Sequence, residues 1–203
     1  MVPVNSADTI DTSTNTIVVL GDSLSAGYGV RLNQSWPSLL DKKIQKQDLG
    51  FTVVNAGISG DTTSGGLYRL PKLLSQHQPK LVILELGGND GLRGMSLKKV
   101  VRKNLDQMIR MIRSSGASVL LVGVELPPNY GKNYTENFKK IFDDLAQEYQ
   151  LILINGSIQE MTEMGLMQSD GIHPNKGGHE LVAKEVWIKL QPLLLKLSAS
   201  QKA

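Results

Sequence analysis

The sequence predicts an α/β domain of three layers, in which a five-stranded parallel sheet lies between two layers of helices. Short runs rich in valine, isoleucine and leucine recur along the chain, and most of them are apolar on both strand faces. Segments with the apolar spacing of an amphipathic helix separate these runs. Strands that are buried on both faces need helices on both sides of their sheet, which is the doubly wound parallel arrangement.

The first half of the chain supplies three predicted strands. Ile17–Leu20 predicts the first strand, and a helix of about 10 residues is expected from Trp36-Pro37 onward. Phe51–Asn55 predicts the second strand. The helix after it is indicated by leucines at helical spacing, namely Leu67, Leu70, Leu73 and Leu74. The third strand is predicted over Leu81–Leu86.

The second half continues the same alternation. The helix after the third strand has one apolar face, formed by Leu97, Val101, Leu105, Met108, Ile109 and Ile112. Val119–Val124 predicts the fourth strand, and the helix after it is lined by Phe138, Ile141, Phe142 and Leu145. Leu151–Ile154 predicts a short fifth strand, and a last helix is expected from near Gly178 toward Pro192. We therefore expect a single domain over residues 16–197, after a loose polar tail over residues 1–15.

The composition argues against several classes of function. The 203 residues carry a formal net charge of only +3, which does not indicate a nucleic-acid partner even though the pI is near 9.0. The densest basic stretch, Lys98-Lys99 with Arg102-Lys103, is expected on a solvated helix face. The absence of cysteine excludes disulfides, thiolate metal sites and a cysteine nucleophile. No run approaches the roughly 18 apolar residues of a membrane span, so no integral membrane segment is expected.

Four short polar blocks follow the predicted strands. They are Gly21-Asp22-Ser23-Leu24, Gly57-Ile58-Ser59-Gly60-Asp61, Gly87-Gly88-Asn89-Asp90 and Asp170-Gly171-Ile172-His173. In open parallel sheets, ligands bind beyond the carboxyl ends of the strands. The blocks therefore lie where a functional site is expected.

The expected strand order brings the first three blocks together. In the flavodoxin-like order 2-1-3-4-5, Ser23 follows the central strand, with Gly60 on one side and Asn89 on the other. Asp170 and His173 follow the fifth strand, so their loop has to reach back over the same edge of the sheet. The strand order does not by itself provide this last step.

Each residue type suits a step of acyl transfer. A serine hydroxyl becomes nucleophilic when a base removes its proton, and imidazole suits that role, so Ser23 and His173 are the candidates. Asp170 can hold the other ring nitrogen of His173. The backbone N–H groups of Ser23 and Gly60 and the side-chain amide of Asn89 are candidate donors to an oxyanion.

Every block also has a purely structural interpretation. Asp22 can be a helix cap, the glycines of the second and third blocks can form turns, and an Asp-x-x-His pair is most often surface polarity. Together, at strand ends, the blocks favour catalysis. Of the other histidines, His77 is expected to be exposed. His179 could bind a metal with Asp170, but polarity on a helix surface is the favoured interpretation.

These blocks closely resemble those of the SGNH hydrolases, also called the GDSL esterase/lipase family. The resemblance covers nearly the whole chain, from Thr16 to about Pro192. The family's signature residues fall on Ser23, Gly60, Asn89 and His173, with Asp170 three positions before the histidine. The longer strings around these positions are most similar to the bacterial subgroup of thioesterases, lysophospholipases and arylesterases.

The resemblance implies the SGNH hydrolase fold and a serine esterase that hydrolyses acyl esters and thioesters through an acyl-serine intermediate. It implies no metal and no cofactor. The expected partner is a small-molecule substrate such as a lysophospholipid, an acyl-CoA or an aryl ester. Loops after the third and fourth strands could line an acyl channel, with ordinary loop packing as the alternative, and the candidates there are Leu92, Met95, Pro127 and Tyr130. Gly91 and Gly94 would let the first loop adjust to the acyl chain.

The subgroup is commonly periplasmic, so a periplasmic or secreted location is expected, with the cytoplasm as the alternative. Met1–Asn15 lacks the basic start and apolar stretch of a signal peptide, as a mature chain without its leader would. The oligomeric state is left open, and a monomer is one option.

Three other functions compete with this interpretation. A nucleotide-binding module is suggested by the glycines from Gly27 onward, which begin like a dinucleotide fingerprint, but Leu32 stands where the third glycine belongs. A catalytically inactive ligand-binding relative would have lost a triad member, and none is missing. An SGNH-type carbohydrate deacetylase stays an alternative, because it would use the same residues on a shorter acyl group.

Overall fold

The computed structural model describes residues 15–156 and 158–199. The strands in these residues are β1 (Asn15–Gly21), β2 (Phe51–Asn55), β3 (Leu81–Glu85), β4 (Ser118–Val122) and β5 (Ile152–Ile154). They form one sheet in the order β2-β1-β3-β4-β5, and every pairing in it is parallel. The predicted strand order is confirmed.

Helices connect consecutive strands. In the described part of the chain they are α1 (Ser23–Ala26), α2 (Trp36–Lys46), α3 (Thr63–His77), α4 (Gly88–Leu92), α5 (Lys103–Ser114), α6 (Lys132–Tyr149), α7 (Ile158–Glu163) and α8 (Lys176–Ala199). Short 3₁₀ turns lie at Leu32–Gln34 and Pro128–Tyr130. A π-helical stretch over Leu97–Arg102 leads directly into α5, so the predicted helix from Leu97 begins with wider turns.

Each face of the sheet has its own apolar core, which confirms the three-layer prediction. Along β1, Val18 and Leu20 join the core formed with α3, α5 and α6, while Ile17 and Val19 join the core formed with α2 and α8. All four side chains are fully buried. The strand is apolar at successive positions because helices cover both of its faces.

The parallel register aligns the carboxyl ends of the central strands. Val19 of β1 lies opposite Asn55 of β2, and Gly21 lies opposite Glu85 of β3. The chain leaves the sheet at these levels, so the segments that carry Ser23, Gly60 and Asn89 start from the same edge. This is the placement that the strand order predicted.

The last helix extends beyond its predicted end. It was expected to run toward Pro192, but α8 continues through this proline to Ala199. Pro192 is exposed, while Leu190 and Leu194 are buried against the sheet. A proline has no N–H, so the carbonyl one turn earlier in the helix loses its usual hydrogen bond. Because Pro192 lies on the solvated face, water can reach that carbonyl, and the buried leucines favour continuation of the helix.

The remaining expectations about the chain's outer parts have mixed outcomes. The tail predicted over residues 1–15 lies outside the described residues, except that Asn15 begins β1. Lys98, Lys99 and Lys103 are exposed, as predicted. Within residues 15–156 and 158–199, no helix combines the length and hydrophobicity that crossing a membrane requires.

Candidate active site

The end of β1 places Ser23 at the first position of a short helix. Asp22 caps this helix, because its Oδ1 accepts a hydrogen bond from the Leu24 N–H at 3.1 Å. Gly27 ends the helix in the left-handed region at φ +77°, and the Tyr28 N–H donates to the Ser23 carbonyl at 3.0 Å. The capping interpretation of Asp22 is therefore correct, and the cap holds Ser23 just beyond the sheet edge.

His173 contacts both of its predicted partners. Its Nε2 lies 2.8 Å from the Ser23 Oγ, and its Nδ1 lies 2.7 Å from the Asp170 Oδ2. The Tyr28 ring lies against the imidazole, with the ring centroids 4.5 Å apart. The loop after α7 thus reaches back to the end of β1, and the three side chains form one continuous chain of contacts.

Asp170 is held as a carboxylate by its own turn. Its Oδ1 accepts hydrogen bonds from the Ile172 N–H at 2.9 Å and the His173 N–H at 3.0 Å. Burial raises the pKa of Asp170, but hydrogen bonds from His173 and Ile172 outweigh it and lower that pKa to about 2. An ionised carboxylate fixes the His173 Nδ1 as the proton-bearing nitrogen, which leaves Nε2 free to accept the serine proton.

Asn89 contacts the cap of the Ser23 helix. It follows β3 within α4, and its Nδ2 donates to the Asp22 Oδ2 at 3.1 Å. Because an amide nitrogen carries two hydrogens, one remains for a ligand. Burial raises the pKa of Asp22 to about 6, against the lowering effect of hydrogen bonds from Leu24 and Asn89. Asp22 therefore joins the helix that begins at Ser23 to a predicted oxyanion donor, a role that we did not predict.

Gly60 lies in an exposed loop that is tied to the end of β1. The Ile58 N–H and the Arg69 Nη2 both donate to the Gly21 carbonyl, at 3.1 and 3.0 Å. Gly60 has φ +79°, which favours glycine, and its carbonyl accepts a hydrogen bond from the Arg93 Nη2 at 3.1 Å. Its N–H donates to no group in the described residues, so it is available to a ligand.

Two acids of the predicted blocks stabilise neighbouring helices. The Asp61 Oδ2 lies 2.8 Å from the Arg69 Nε, which holds the Gly60 loop against α3. The Asp90 carboxylate is fully buried and accepts from the Thr63 N–H at 2.8 Å and the Thr63 Oγ1 at 2.6 Å. These contacts join the loops after β2 and β3, which carry Gly60 and Asn89.

Glu85 is a buried carboxyl group next to the candidate site that we did not predict. Its Oε2 accepts from the Ser25 Oγ at 2.7 Å and from the Asp22 N–H at 3.4 Å. Burial, and after it the charge of Asp22, raise the pKa of Glu85 well above its usual range. The available signal was a lone acid near the end of the apolar run Leu81–Leu86.

A cavity of 320 Å³ opens beside Ser23, Asn89 and His173. Its apolar wall comes from the segments after β4 and β5 and from α8, and includes Val124, Leu126, Pro127, Ile158, Met161 and Leu181. Of the predicted substrate-binding residues, Leu92 and Pro127 line it, whereas Met95 and Tyr130 are not among its lining residues. The Tyr130 hydroxyl instead donates to the Leu92 carbonyl at 3.1 Å.

The prediction that His179 lies on a helix surface is wrong. It is 1% exposed, and its Nδ1 accepts a hydrogen bond from the Trp36 N–H at 3.3 Å. Burial, and after it the charge of His173, lower the pKa of His179 to about 4. The hydrophobic periodicity of α8 could have placed this position on the buried face, since Val182 and Val186 follow at helical spacing. His77, predicted to be exposed, is half-buried.

Within the described residues, no group of three or more histidine, aspartate or glutamate side chains is placed to hold a metal ion.

Comparison with known proteins gives consistent matches. Residues 19–181 match the model of the GDSL-like Lipase/Acylhydrolase family. The chain is 44% identical over 180 residues to "Esterase TesA" of Pseudomonas aeruginosa, covering 88% of this chain and 89% of that protein. It is 46% identical over 171 residues to an "Arylesterase" of Vibrio mimicus, covering 84% and 85%.

Two further matches extend the range of relatives. One is "Thioesterase 1/protease 1/lysophospholipase L1" of Escherichia coli K12, 44% identical over 181 residues, with 89% of this chain and 85% of that protein covered. The other is the crystal structure of the psychrotrophic esterase EstA from Pseudoalteromonas sp., inhibited by monoethylphosphonate. It superposes with a TM-score of 0.82 at 36% identity, over 89% of this chain and 98% of that one.

Proposed function

The chain belongs to the GDSL-like lipase/acylhydrolase family and is an esterase, and we propose that Ser23, His173 and Asp170 are its catalytic residues. One observation carries the proposal, namely the unbroken contact from the Ser23 Oγ through both His173 ring nitrogens to the Asp170 carboxylate. Nucleophile, base and orienting acid are each within hydrogen-bond reach of the next.

In the first half-reaction, the Ser23 Oγ attacks the acyl carbonyl while its proton passes to the His173 Nε2. Asp170 keeps the Nδ1 proton in place and stabilises the imidazolium. The imidazolium then protonates the leaving alcohol or thiol, which leaves an acyl-serine. In the second half-reaction, water attacks the acyl-serine, gives its proton to Nε2, and that proton returns to the Ser23 Oγ as the acid departs.

We assign the oxyanion site to the Ser23 N–H, the Gly60 N–H and the Asn89 side-chain amide. Two features support the assignment, because Gly60 has an uncommitted N–H and Asn89 has a second amide hydrogen beside its bond to Asp22. Fixed donors of this kind stabilise the negative charge that develops on the carbonyl oxygen. The N-terminus of α1 at Ser23 adds backbone dipoles of the same sign.

The proposed substrates are acyl esters and thioesters. The apolar cavity beside Ser23 suits an acyl chain, which gains free energy when its apolar surface leaves water. Relatives named as an arylesterase and as a thioesterase and lysophospholipase suggest aryl esters, lysophospholipids and acyl-CoA as substrate classes. We further propose a periplasmic or secreted location, on the basis of the resemblance to the bacterial subgroup.

A chain-length series tests the substrate assignment. Purified protein would be assayed with p-nitrophenyl esters and acyl thioesters from two carbons upward, beside Ser23→Ala as the inactive control. We expect kcat/KM to rise with chain length until the apolar cavity is filled, in both series. Activity confined to acetyl esters would contradict an acyl-chain site and favour a carbohydrate deacetylase.

A further inference from the structure

Gln168 connects the segment that carries His173 to the segment that carries Ser23. Its Nε2 donates to the Tyr28 carbonyl at 2.8 Å and to the Pro174 carbonyl at 2.8 Å. Both hydrogens of the amide are thereby used, one on each segment. Gln168 also fixes its own loop, because its N–H donates to the His173 carbonyl at 2.8 Å and its carbonyl accepts from the Gly171 N–H at 3.0 Å.

The receiving residue, Tyr28, is itself attached to Ser23. Its N–H donates to the Ser23 carbonyl at 3.0 Å, and its ring lies against the His173 imidazole. The fit around the amide is close, since a Cβ added at Gly29 would lie 2.1 Å from the Gln168 Oε1. The hydrogen bond from Gln168 to Tyr28 thus links the loop that carries His173 to Ser23, with Tyr28 as the only residue between them.

Few hydrogen bonds join the segment that carries Ser23 to the segment that carries His173. Within the described residues, segments 21–31 and 166–175 share two, namely the bond between Ser23 and His173 and the bond from Gln168 to Tyr28. The bond between Ser23 and His173 is lost when Ser23 is acylated, because the serine hydroxyl hydrogen has then left. The second involves no reacting atom, so acylation of Ser23 does not itself remove it.

We propose that Gln168 is a positioning residue that keeps His173 over the acylated Ser23, so that the imidazole can activate water. This inference rests on the proposed function, and it extends that function to a residue that does not touch substrate. During acylation, the Ser23 hydroxyl itself helps to hold the imidazole. During deacylation that contact is gone, so deacylation depends more strongly on the Gln168–Tyr28 bond.

The test compares the two half-reactions in Gln168→Met. Methionine keeps the length and volume of glutamine but cannot donate to either carbonyl. Intact-mass spectrometry of acid-quenched turnover with saturating p-nitrophenyl butyrate measures the fraction of acyl-enzyme, which gives the ratio of the acylation rate to the deacylation rate. Because small misplacements of catalytic groups slow reaction strongly, we expect this ratio to rise by about fivefold or more.

Controls separate positioning from general loss of structure. Gln191→Met removes another side-chain hydrogen bond, to the Gln47 Oε1 at 3.0 Å, in a contact remote from the site, and it should leave the ratio unchanged. Gln168→Asn, which is too short to reach both carbonyls, should raise the ratio and serves if Gln168→Met does not fold.

Two results would overturn the proposal. A ratio in folded Gln168→Met and Gln168→Asn that rises less than about fivefold means that the amide does not act selectively on deacylation. An equal decrease in the acylation and deacylation rates, which leaves their ratio unchanged, leads to the same conclusion. Organophosphonate labelling of the unmodified protein keeps this outcome distinct, because failure to label Ser23 would refute the proposed function itself.

Discussion

Burial and hydrogen bonding move the pKa values of the carboxyl groups near Ser23 in opposite directions. Burial raises the pKa of Asp170, but the hydrogen bonds of its turn outweigh that effect and lower it to about 2, so this carboxylate is ionised at neutral pH. Glu85 is almost completely buried, and its pKa is raised well above the usual range by that burial. The residue proposed to orient the base therefore carries charge, whereas burial disfavours the charged form of the carboxyl group beneath the helix of Ser23.

Removal of the proposed nucleophile or the proposed base is expected to abolish most turnover. Ser23→Ala and His173→Ala should each lower kcat by on the order of 10⁴-fold or more, because proton transfer and acyl-enzyme formation both fail. Steady-state assays with a p-nitrophenyl ester measure the loss. Thermal unfolding should be little changed, and a variant that folds and retains wild-type kcat would exclude that residue from catalysis.

Asn89→Ala should act on the transition state. We expect kcat to fall by roughly 10²–10³-fold with little change in KM, because the oxyanion loses one fixed donor. Asn104→Ala is the matched control, since the Asn104 Nδ2 donates to the Thr63 Oγ1 at 3.0 Å and to the Ser64 Oγ at 2.9 Å. Equal kinetics in the two variants would remove Asn89 from the oxyanion site.

At the scale of elements, the loops after the strands carry the site and the strands locate the loops. The strands and their order could be predicted because doubly buried strands are apolar throughout and parallel sheets use few topologies. The return of the Asp170–His173 loop could not be predicted in the same way. It depends on tertiary contacts such as those of Gln168, and a polar residue with distant backbone partners leaves no periodic pattern in the sequence.

The contacts of two other polar residues could not be predicted either. Glu85 and His179 are polar side chains in apolar elements, and only the structure identifies the groups that they contact, Ser25 and Trp36. The four polar blocks could be predicted from the sequence, because glycine, serine and asparagine at strand ends indicate loops with functional side chains. Among the predicted substrate residues, Met95 and Tyr130 are not in the cavity lining, because side-chain direction within a loop is not determined by sequence spacing.

A prediction at the element scale concerns the loop between β2 and α3. Gly60 has φ +79°, so Gly60→Ala introduces backbone strain of about 1–2 kcal/mol at a proposed oxyanion donor. We expect at least a roughly tenfold lower kcat, because a small shift of this donor weakens transition-state binding.

Gly50→Ala supplies the control for that strain. Gly50 has φ +71° and no atom within 4 Å of an added Cβ, so the substitution should reduce the free energy of unfolding similarly and leave kcat unchanged. Urea denaturation and steady-state kinetics measure the two effects. If both variants lost stability equally and neither lost activity, the Gly60 N–H would not belong to the oxyanion site.

At the scale of the whole molecule, helix α8 joins the candidate site to the apolar core that it forms with α2. It begins three residues after His173, and His179 in its first turns accepts the N–H of Trp36 at the start of α2. Burial is the main cause that lowers the pKa of His179 to about 4. Protonation would place an unpaired charge between these helices, so the docking of α8 is expected to weaken in acid.

This effect has a defined sign and pH window. The unfolded chain binds a proton at His179 near its ordinary pKa of about 6.5 while the folded protein does not, so stability falls as pH decreases from there to about 4. We expect the wild type to lose about 2–3 kcal/mol more than His179→Asn between pH 7 and pH 4. Urea denaturation at several pH values measures this, with His77→Asn as the control, and parallel curves for wild type and His179→Asn would contradict it.

Organophosphonate labelling tests the central claim most directly. The protein would be treated with a p-nitrophenyl alkylphosphonate, digested, and mapped by mass spectrometry, with His173→Ala labelled in parallel. We predict stoichiometric modification at Ser23 alone, together with loss of esterase activity, and much slower labelling of the His173 variant. Inactivation with the phosphonyl group on another residue, or full activity after Ser23 is modified, would contradict the account.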